Sequence, residues 1–340
     1  MIVKKSLSLR SIYRFTGQHL IWLVPWMLLV PSLYYYAGWK FITIPWLPLS
    51  LIGVAVAFYV GFKNNQSYAR LWEARKIWGA VINSSRKMGT MIKHFHPDKY
   101  RDGQPIDDTR KQFIYRHIAY VYQLRKQLLE PMPWEHVRLA WVFGSYNRKR
   151  QERIHASYAD ELKLAEEQVY LSKEEAEKLT GFNNIATQLL DKQTQTMQQL
   201  FAEGEINMLQ QAELQRVIND LYDEQGKAER IKRFPFPRQY AGYSYVFVCI
   251  FVFLLPFGIV SEFSKLGDAY VWLSVPIGII VGWIYVVMEM IGDYSENPFE
   301  GLYNDIPMLS ICRTIEIDML QMFGEKNVPA PIKSKGDILI

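Results

Sequence analysis

Apolar residues are not spread evenly along this chain. They collect in four runs, two near each end, at about 20–36, 45–62, 241–260 and 269–288, separated by a long polar middle. Each run has the length, about 17–22 residues, that a helix rising 1.5 Å per residue needs to cross a hydrocarbon core of roughly 30 Å. The pattern therefore predicts four transmembrane helices. In the first run, Trp22 and Trp26 stand near one end and Tyr34, Tyr35 and Tyr36 at the other, as an interfacial aromatic belt would place them. Pro25 and Pro31 are tolerable there if neighbouring helices satisfy the freed carbonyls. Pro256 and Pro276 are expected to bend the last two spans. Gly278 and Gly282 lie four apart, a spacing that lets a second helix approach closely.

Between 63 and 238 the apolar period changes to that of amphipathic helices, expected at about 64–94, 109–130, 149–170, 172–180, 184–203 and 205–232. Ser172 with Glu175 predicts a capping box. Gly181 and Gly204 can supply left-handed residues at helix ends, and Asp107 or Asp108 can cap the helix that follows. The stretches 96–104 and 130–133 read as turns. A further amphipathic helix is expected at about 307–323, and the tail from Glu325 has no periodicity and is expected to lack structure. These boundaries divide the chain into a basic segment 1–19, a first membrane pair 20–62, a helical region 63–238, a second pair 239–290, a segment 291–324 and a tail 325–340.

The stretch 54–78 organises the rest. Val54, Phe58 and Phe62 recur every four residues and so share one helix face. Lys63, Asn64, Asn65, Gln66, Arg70, Glu73, Arg75 and Lys76 follow with no break in the helical pattern. An apolar stripe has two fates. It can pack inside a helix bundle, or it can face the axis of an oligomer, where rings of Phe make a constriction that gates by dewetting. Ring edges suit an anion and ring faces a cation.

Charge decides topology. The formal net charge is +5, too modest for a nucleic-acid partner, and no basic run is interleaved with exposed aromatics. Lys4, Lys5, Arg10, Arg14, Lys63, Arg70, Lys232, Arg233 and Arg238 flank one side of the four runs, against Lys40 and Lys265 on the other. By the positive-inside rule both termini and the polar middle are cytoplasmic. Residues 6–18 either form an amphipathic surface helix or serve as a plain basic flank. No small-residue cleavage site follows the first run, so no signal peptide is expected. Cys249 and Cys312 are expected as free thiols.

Enzyme signatures are absent: there is no phosphate-binding loop, dinucleotide fingerprint, nucleophile elbow or zinc-protease motif. His94, His96 and Asp98 are too few for a metal site and read as a solvated helix end. Glu73, Glu289 and Asp293 near span ends either mark an ion path or pair with Arg70, Arg75 or Lys76.

Two longer motifs carry a resemblance. GFKNNQSYARLWEARKIWG at 61–79 and ENPFEGLYNDIPMLSICRTIEIDML at 296–320, with FLLPFGIV at 253–260, resemble the regions after the second and fourth spans of bacterial bestrophin homologues. The resemblance implies an all-α membrane protein, four transmembrane helices with a large helical cytosolic region, assembling as a homopentamer around one central pore. It implies an ion channel and not an enzyme, in the inner membrane of a bacterium, with lipids and permeant monovalent ions as partners. In register on Gly61 and Trp72, the pore neck falls on Val54, Phe58 and Phe62. A cytosolic constriction falls on Ile185, and Asn64, Asn65, Arg70, Glu73, Arg75, Glu296, Asn297, Pro298 and Phe299 are motif positions near pore and assembly. The family label implies chloride or other anions, with cation selectivity as the alternative in the same fold and a non-conducting scaffold or sensor as another. Animal members clamp calcium with a dense acidic cluster after the fourth span. Here 296–305 holds only Glu296, Glu300 and Asp305, so no cofactor is expected.

Overall fold

The computed structural model describes residues 1–4, 6, 8–95, 108–139, 141–167 and 170–340. The predicted turn at 96–104, with His96 and Asp98, and the capping candidate Asp107 lie outside these. In chain order the helices are α1 (Leu9–Tyr36), α2 (Trp46–His94), α3 (Asp108–Leu128), α4 (Trp141–Ser157), α5 (Ala159–Glu167) and α6 (Lys173–Leu179). They continue with α7 (Ile185–Ala202), α8 (Met208–Arg233), α9 (Arg238–Ser264), α10 (Ser274–Asp293) and α11 (Met308–Met322). The chain forms two compact units: an apolar one of Lys4–Arg70 and Pro235–Glu296, and a polar one of Met1–Val3, Leu71–Phe234 and Asn297–Ile340. Helix α2 contributes to both.

Among the described residues, three helices are long and apolar enough to cross a membrane: α2, α9 and α10. Helix α1 does not join them on composition, because Pro25, Pro31, Ser32 and three consecutive tyrosines dilute its apolar run. It is also one helix from Leu9, not a surface segment followed by a separate span, since nothing between Gln18 and Leu20 breaks the pattern. Ser8 caps it, its hydroxyl accepting from the Ser11 N–H at 3.1 Å. Its early turns pack within the apolar unit: Thr16 is buried and accepts from the Trp283 indole at 3.2 Å, and the Phe15 ring lies 5.4 Å from that of Tyr294.

Close helix approach in this unit rests on glycine. A Cβ at Gly278 would stand 2.9 Å from Met27 Sδ, and one at Gly282 would stand 3.0 Å from Leu23 Cδ1, so the Gly278/Gly282 spacing seats α1 on α10. A Cβ at Gly258 of α9 would lie 2.3 Å from Leu49 of α2. Pro276 sits in the first turn of α10, where its missing N–H has no intrahelical partner to lose, so it starts the helix rather than bending it.

In the polar unit, α3 packs against α7, α8 and α11. Its buried side is Phe113, Ile114, His117, Ile118, Val121, Leu124 and Leu128. The Ser172 hydroxyl caps α6 through the Glu175 N–H at 3.2 Å, but the Glu175 carboxylate goes to Arg116 at 2.5 Å, so the box is half made. The reciprocal box is Asn207 with Gln210 at α8. Gly204 (φ 75°) ends α7 in the left-handed region, while Gly181 is not left-handed. The helix expected at 149–170 is broken at buried Tyr158, whose hydroxyl donates to the Ile338 carbonyl at 2.5 Å. That contact belongs to a larger correction. The tail has no helix, yet Val3 N–H bonds the Asp337 carbonyl (3.0 Å), Leu339 N–H the Met1 carbonyl (2.9 Å) and Ser310 N–H the Ile340 carbonyl (2.8 Å). Ile332, Ile338 and Leu339 pack on Ile154, Tyr158 and Leu309. Such order comes from partners far away in sequence, which periodicity does not see.

Candidate functional site

Helix α2 presents two faces in the apolar unit. Leu49, Gly53, Val56, Val60, Lys63 and Ser67 are buried. Val54, Phe58 and Phe62 stand on the other side, 69 %, 77 % and 46 % exposed, with Leu47 and Leu51 continuing the stripe towards the helix start. Phe62 is the least exposed of the three because the Tyr240 ring of α9 lies 6.0 Å from its own. Tyr240 also stacks on Tyr59 at 5.2 Å. A Cβ at Gly61, beside them, would meet nothing within 4 Å.

The buried face is anchored by charge. Lys63 follows Phe62 in sequence but points the opposite way, into a buried ion pair with Glu289 of α10. Ser244 of α9 donates to the second oxygen of Glu289 at 2.6 Å, and Asp293 lies 3.9 Å from the Lys63 ammonium. Asn64 donates to the Met288 carbonyl at 2.9 Å, and a Cβ at Gly292 would fall 2.0 Å from Asn64 Oδ1. Lys63 thus ties α2 to α10, and Glu289 in turn to α9 through Ser244, at the residue next to the stripe. Pairing of the span-end carboxylates is present, but the partners differ from those expected. Glu289 takes Lys63, not Arg70, Arg75 or Lys76, and in the polar unit Glu73 takes Arg230 at 2.6 Å. Sequence distance hides both, since the partners lie on different helices.

The remaining motif positions divide by role. Asn65 and Gln66 are exposed, and Arg70 is half-buried. Arg75 covers the Trp72 ring at 5.7 Å. Glu296 is buried and accepts from Arg238 at 3.2 Å. In the polar unit Asn297 and Phe299 are buried, and the Pro298 carbonyl accepts from Ile306 N–H at 3.2 Å. Ile185 opens α7, half-buried against the polar unit's core behind the Asn184 cap, whose side chain accepts from Thr187 N–H at 3.1 Å. Phe182, just before it, is 50 % exposed.

Residues 11–321 match the family profile described as Bacterial/Fungal Bestrophin protein. The chain belongs to the bestrophin family. The family resemblance carried by the 61–79 and 296–320 motifs is borne out. A relative from Escherichia coli (strain K12), named voltage-dependent anion channel-forming protein YneE, is 26 % identical over 312 residues, covering 92 % of this chain and 84 % of that protein. Another from Ralstonia nicotianae, with the same description, is 25 % identical over 292 residues, covering 86 % and 82 %. The crystal structure of a bacterial bestrophin homologue from Klebsiella pneumoniae has a TM-score of 0.72 at 21 % identity, covering 93 % of this chain and 99 % of that one. At that identity the likeness establishes the shared fold.

As a bestrophin, the chain invites a test for the calcium clamp. Glu300 accepts from His136 Nδ1 at 2.9 Å and from the His136 N–H at 3.2 Å. Asp305 accepts from Leu302 N–H at 2.9 Å, and burial, then the Glu300 charge, pushes its carboxyl above the usual carboxylate range. Calcium needs six to eight oxygens with ionised carboxylates among them. A Glu300 already taken up by His136 donors and an Asp305 biased towards protonation do not fit that ion.

Proposed function

We propose that this bestrophin is an anion channel of the bacterial inner membrane, a homopentamer that passes monovalent anions through a neck of Val54, Phe58 and Phe62. In this reading α1 crosses with α2, α9 and α10, both termini are cytoplasmic, and Ile185 forms a second narrowing. The observation that carries it is an apolar stripe left open directly opposite a firmly fastened helix face. Three apolar side chains at four-residue spacing stay largely exposed within the chain, Phe62 alone lying against the Tyr240 ring, while the opposite face of the same helix is fastened by Lys63, Glu289 and Ser244. A helix held so firmly on one side leaves its other side for a different partner. Copies of the same stripe around an axis supply that partner and make a dry constriction. The relatives' shared description, anion channel-forming, supports the ion class.

The test is flux from liposomes. Replacing both phenylalanines, Phe58→Ala with Phe62→Ala, widens the constriction and raises chloride flux, with the five-fold assembly in detergent retained. Unchanged flux from an intact ring removes the neck assignment. The reversal potential in asymmetric salt reads the ion's sign, and a cation-selective value overturns the anion assignment.

A further inference from the structure

Among the described residues, the polar unit holds a cation with no bonded counter-ion. Arg125 of α3 and His155 of α4 line a small pocket of about 30 Å³, walled by Leu129, Ile154, Ile306 and Leu309. Among the described residues the Arg125 side chain makes no ion pair or hydrogen bond. Glu166 and the groups of Tyr122 and Cys312 act on it only through space. Burial pulls its guanidinium below the usual value, and burial, then the Arg125 charge, pulls the His155 imidazole down as well. His155 is therefore neutral near pH 7 and offers one N–H beside a fixed positive charge.

Of the acids around the pocket, Glu166 is exposed and reaches Arg125 only through space, and two others are bonded elsewhere. Glu300 is held by His136, and Glu316 accepts from Tyr122 and Tyr170. A glycine in left-handed backbone forms part of the lining. Gly301 has φ 76°, and a Cβ there would stand 3.4 Å from Leu129 Cδ2 and 3.5 Å from Gln151 Nε2. An unpaired guanidinium against apolar walls is unfavourable by itself and is relieved by an anion. The enclosed space is small, so the ion seated against Arg125 is a small one. The apolar walls favour a weakly hydrated ion over a strongly hydrated one.

We propose that Arg125 and His155 form a binding site for one small monovalent anion of halide type, separate from the neck. It is a fixed site in the polar unit, built from α3, α4 and the turn before α11. The proposal does not depend on conduction. Binding links the ion to the stability of the folded protein, because a ligand of the native state raises the unfolding midpoint with concentration.

The experiment uses full-length protein in detergent, moved from sodium gluconate into sodium bromide at constant ionic strength. Wild-type protein shows a bromide-dependent rise in unfolding midpoint. Arg125→Gln loses the rise, while the Phe58→Ala/Phe62→Ala variant keeps it. An equal rise in Arg125→Gln overturns the site, and loss of the rise in the neck variant assigns the effect to the neck and overturns it too. Anomalous diffraction from wild-type crystals grown in bromide covers the case in which Arg125→Gln fails to fold. A peak within contact of Arg125 supports the site, and its absence at saturating bromide overturns it.

Discussion

Lys63 has one ammonium, and that ammonium is almost wholly buried, at 1 % side-chain exposure, beside a Glu289 side chain 7 % exposed. A buried pair contributes little against a well-packed apolar replacement, yet breaking it leaves a lone charge in a medium that solvates it poorly. Lys63→Met is therefore expected to lower stability by about 3–5 kcal/mol, and the double change Lys63→Met/Glu289→Leu by much less. Unfolding midpoints of the four species in one detergent check this, and additive losses would mean the two side chains are uncoupled. His117 of α3 makes the complementary point in the polar unit. Its Nε2 lies 2.8 Å from the Ser85 hydroxyl, whose single proton goes to the Val81 carbonyl at 2.7 Å, so Nε2 carries the hydrogen. Nδ1 is buried without a partner, and burial lowers the imidazole to about 4. The unfolded chain takes up this proton near pH 6.5 and the folded one not until about 4. Stability from this group is thus complete above 6.5 and declines as pH falls towards 4, by about 3 kcal/mol in all. Thermal midpoints across that range should fall less steeply in His117→Leu than in wild type, and parallel slopes would remove His117 from the acid response. At this scale the sequence is only partly legible. Lys63 stands in plain view after Phe62, but nothing within 63–76 says that its partner is 226 positions away rather than on the same helix.

Helix by helix, the apolar runs and the amphipathic period locate most elements to within a few residues. The exceptions share a cause. Helix α1 is longer than its apolar run, the 149–170 helix breaks at Tyr158, and the tail is ordered, each through packing with residues distant in sequence. Glycine shows how tertiary contact also reverses local rules. Gly226, inside α8, has nothing near the position of a Cβ. Gly226→Ala should therefore gain about 0.5–1 kcal/mol from helix propensity and reduced freedom of the unfolded chain. Gly292 has the same local preference in α10, but a Cβ would stand 2.0 Å from Asn64 Oδ1 and dislodge the bond from Asn64 to the Met288 carbonyl. Gly292→Ala should lower stability by about 1–3 kcal/mol, the usual range for overpacking. Chemical or thermal unfolding of the two variants gives opposite signs if this account holds, and the same sign if propensity alone decides.

For the whole assembly, three surroundings compete for the Val54, Phe58 and Phe62 stripe: lipid, a neighbouring helix, or water in a pore. Side-chain exposure within one chain does not separate them, since Ile280 on α10 is 54 % exposed as well. Chemistry at a thiol does. Cys249 is exposed and must be replaced, whereas Cys312 is buried, and burial pushes its thiol up to about 12, so it is unreactive and can stay. In a Cys249→Ala background, Phe58→Cys should react with charged, water-soluble thiosulfonates and lose conduction as it does so, because a pore-facing thiol meets water and can ionise. Ile280→Cys should resist the same reagents, because a thiolate does not form in hydrocarbon. The sign of the reagent adds the ion class. A path that favours anions concentrates the sulfonate-bearing reagent and slows the trimethylammonium one, so the ratio of their rates at Phe58→Cys exceeds that for a free thiol in water. A ratio below the free-thiol value would reverse the ion assignment while leaving the neck in place. Protection at Phe58→Cys equal to that at Ile280→Cys would return the stripe to lipid or to a helix partner, and with it the expectation that these three residues face an axis.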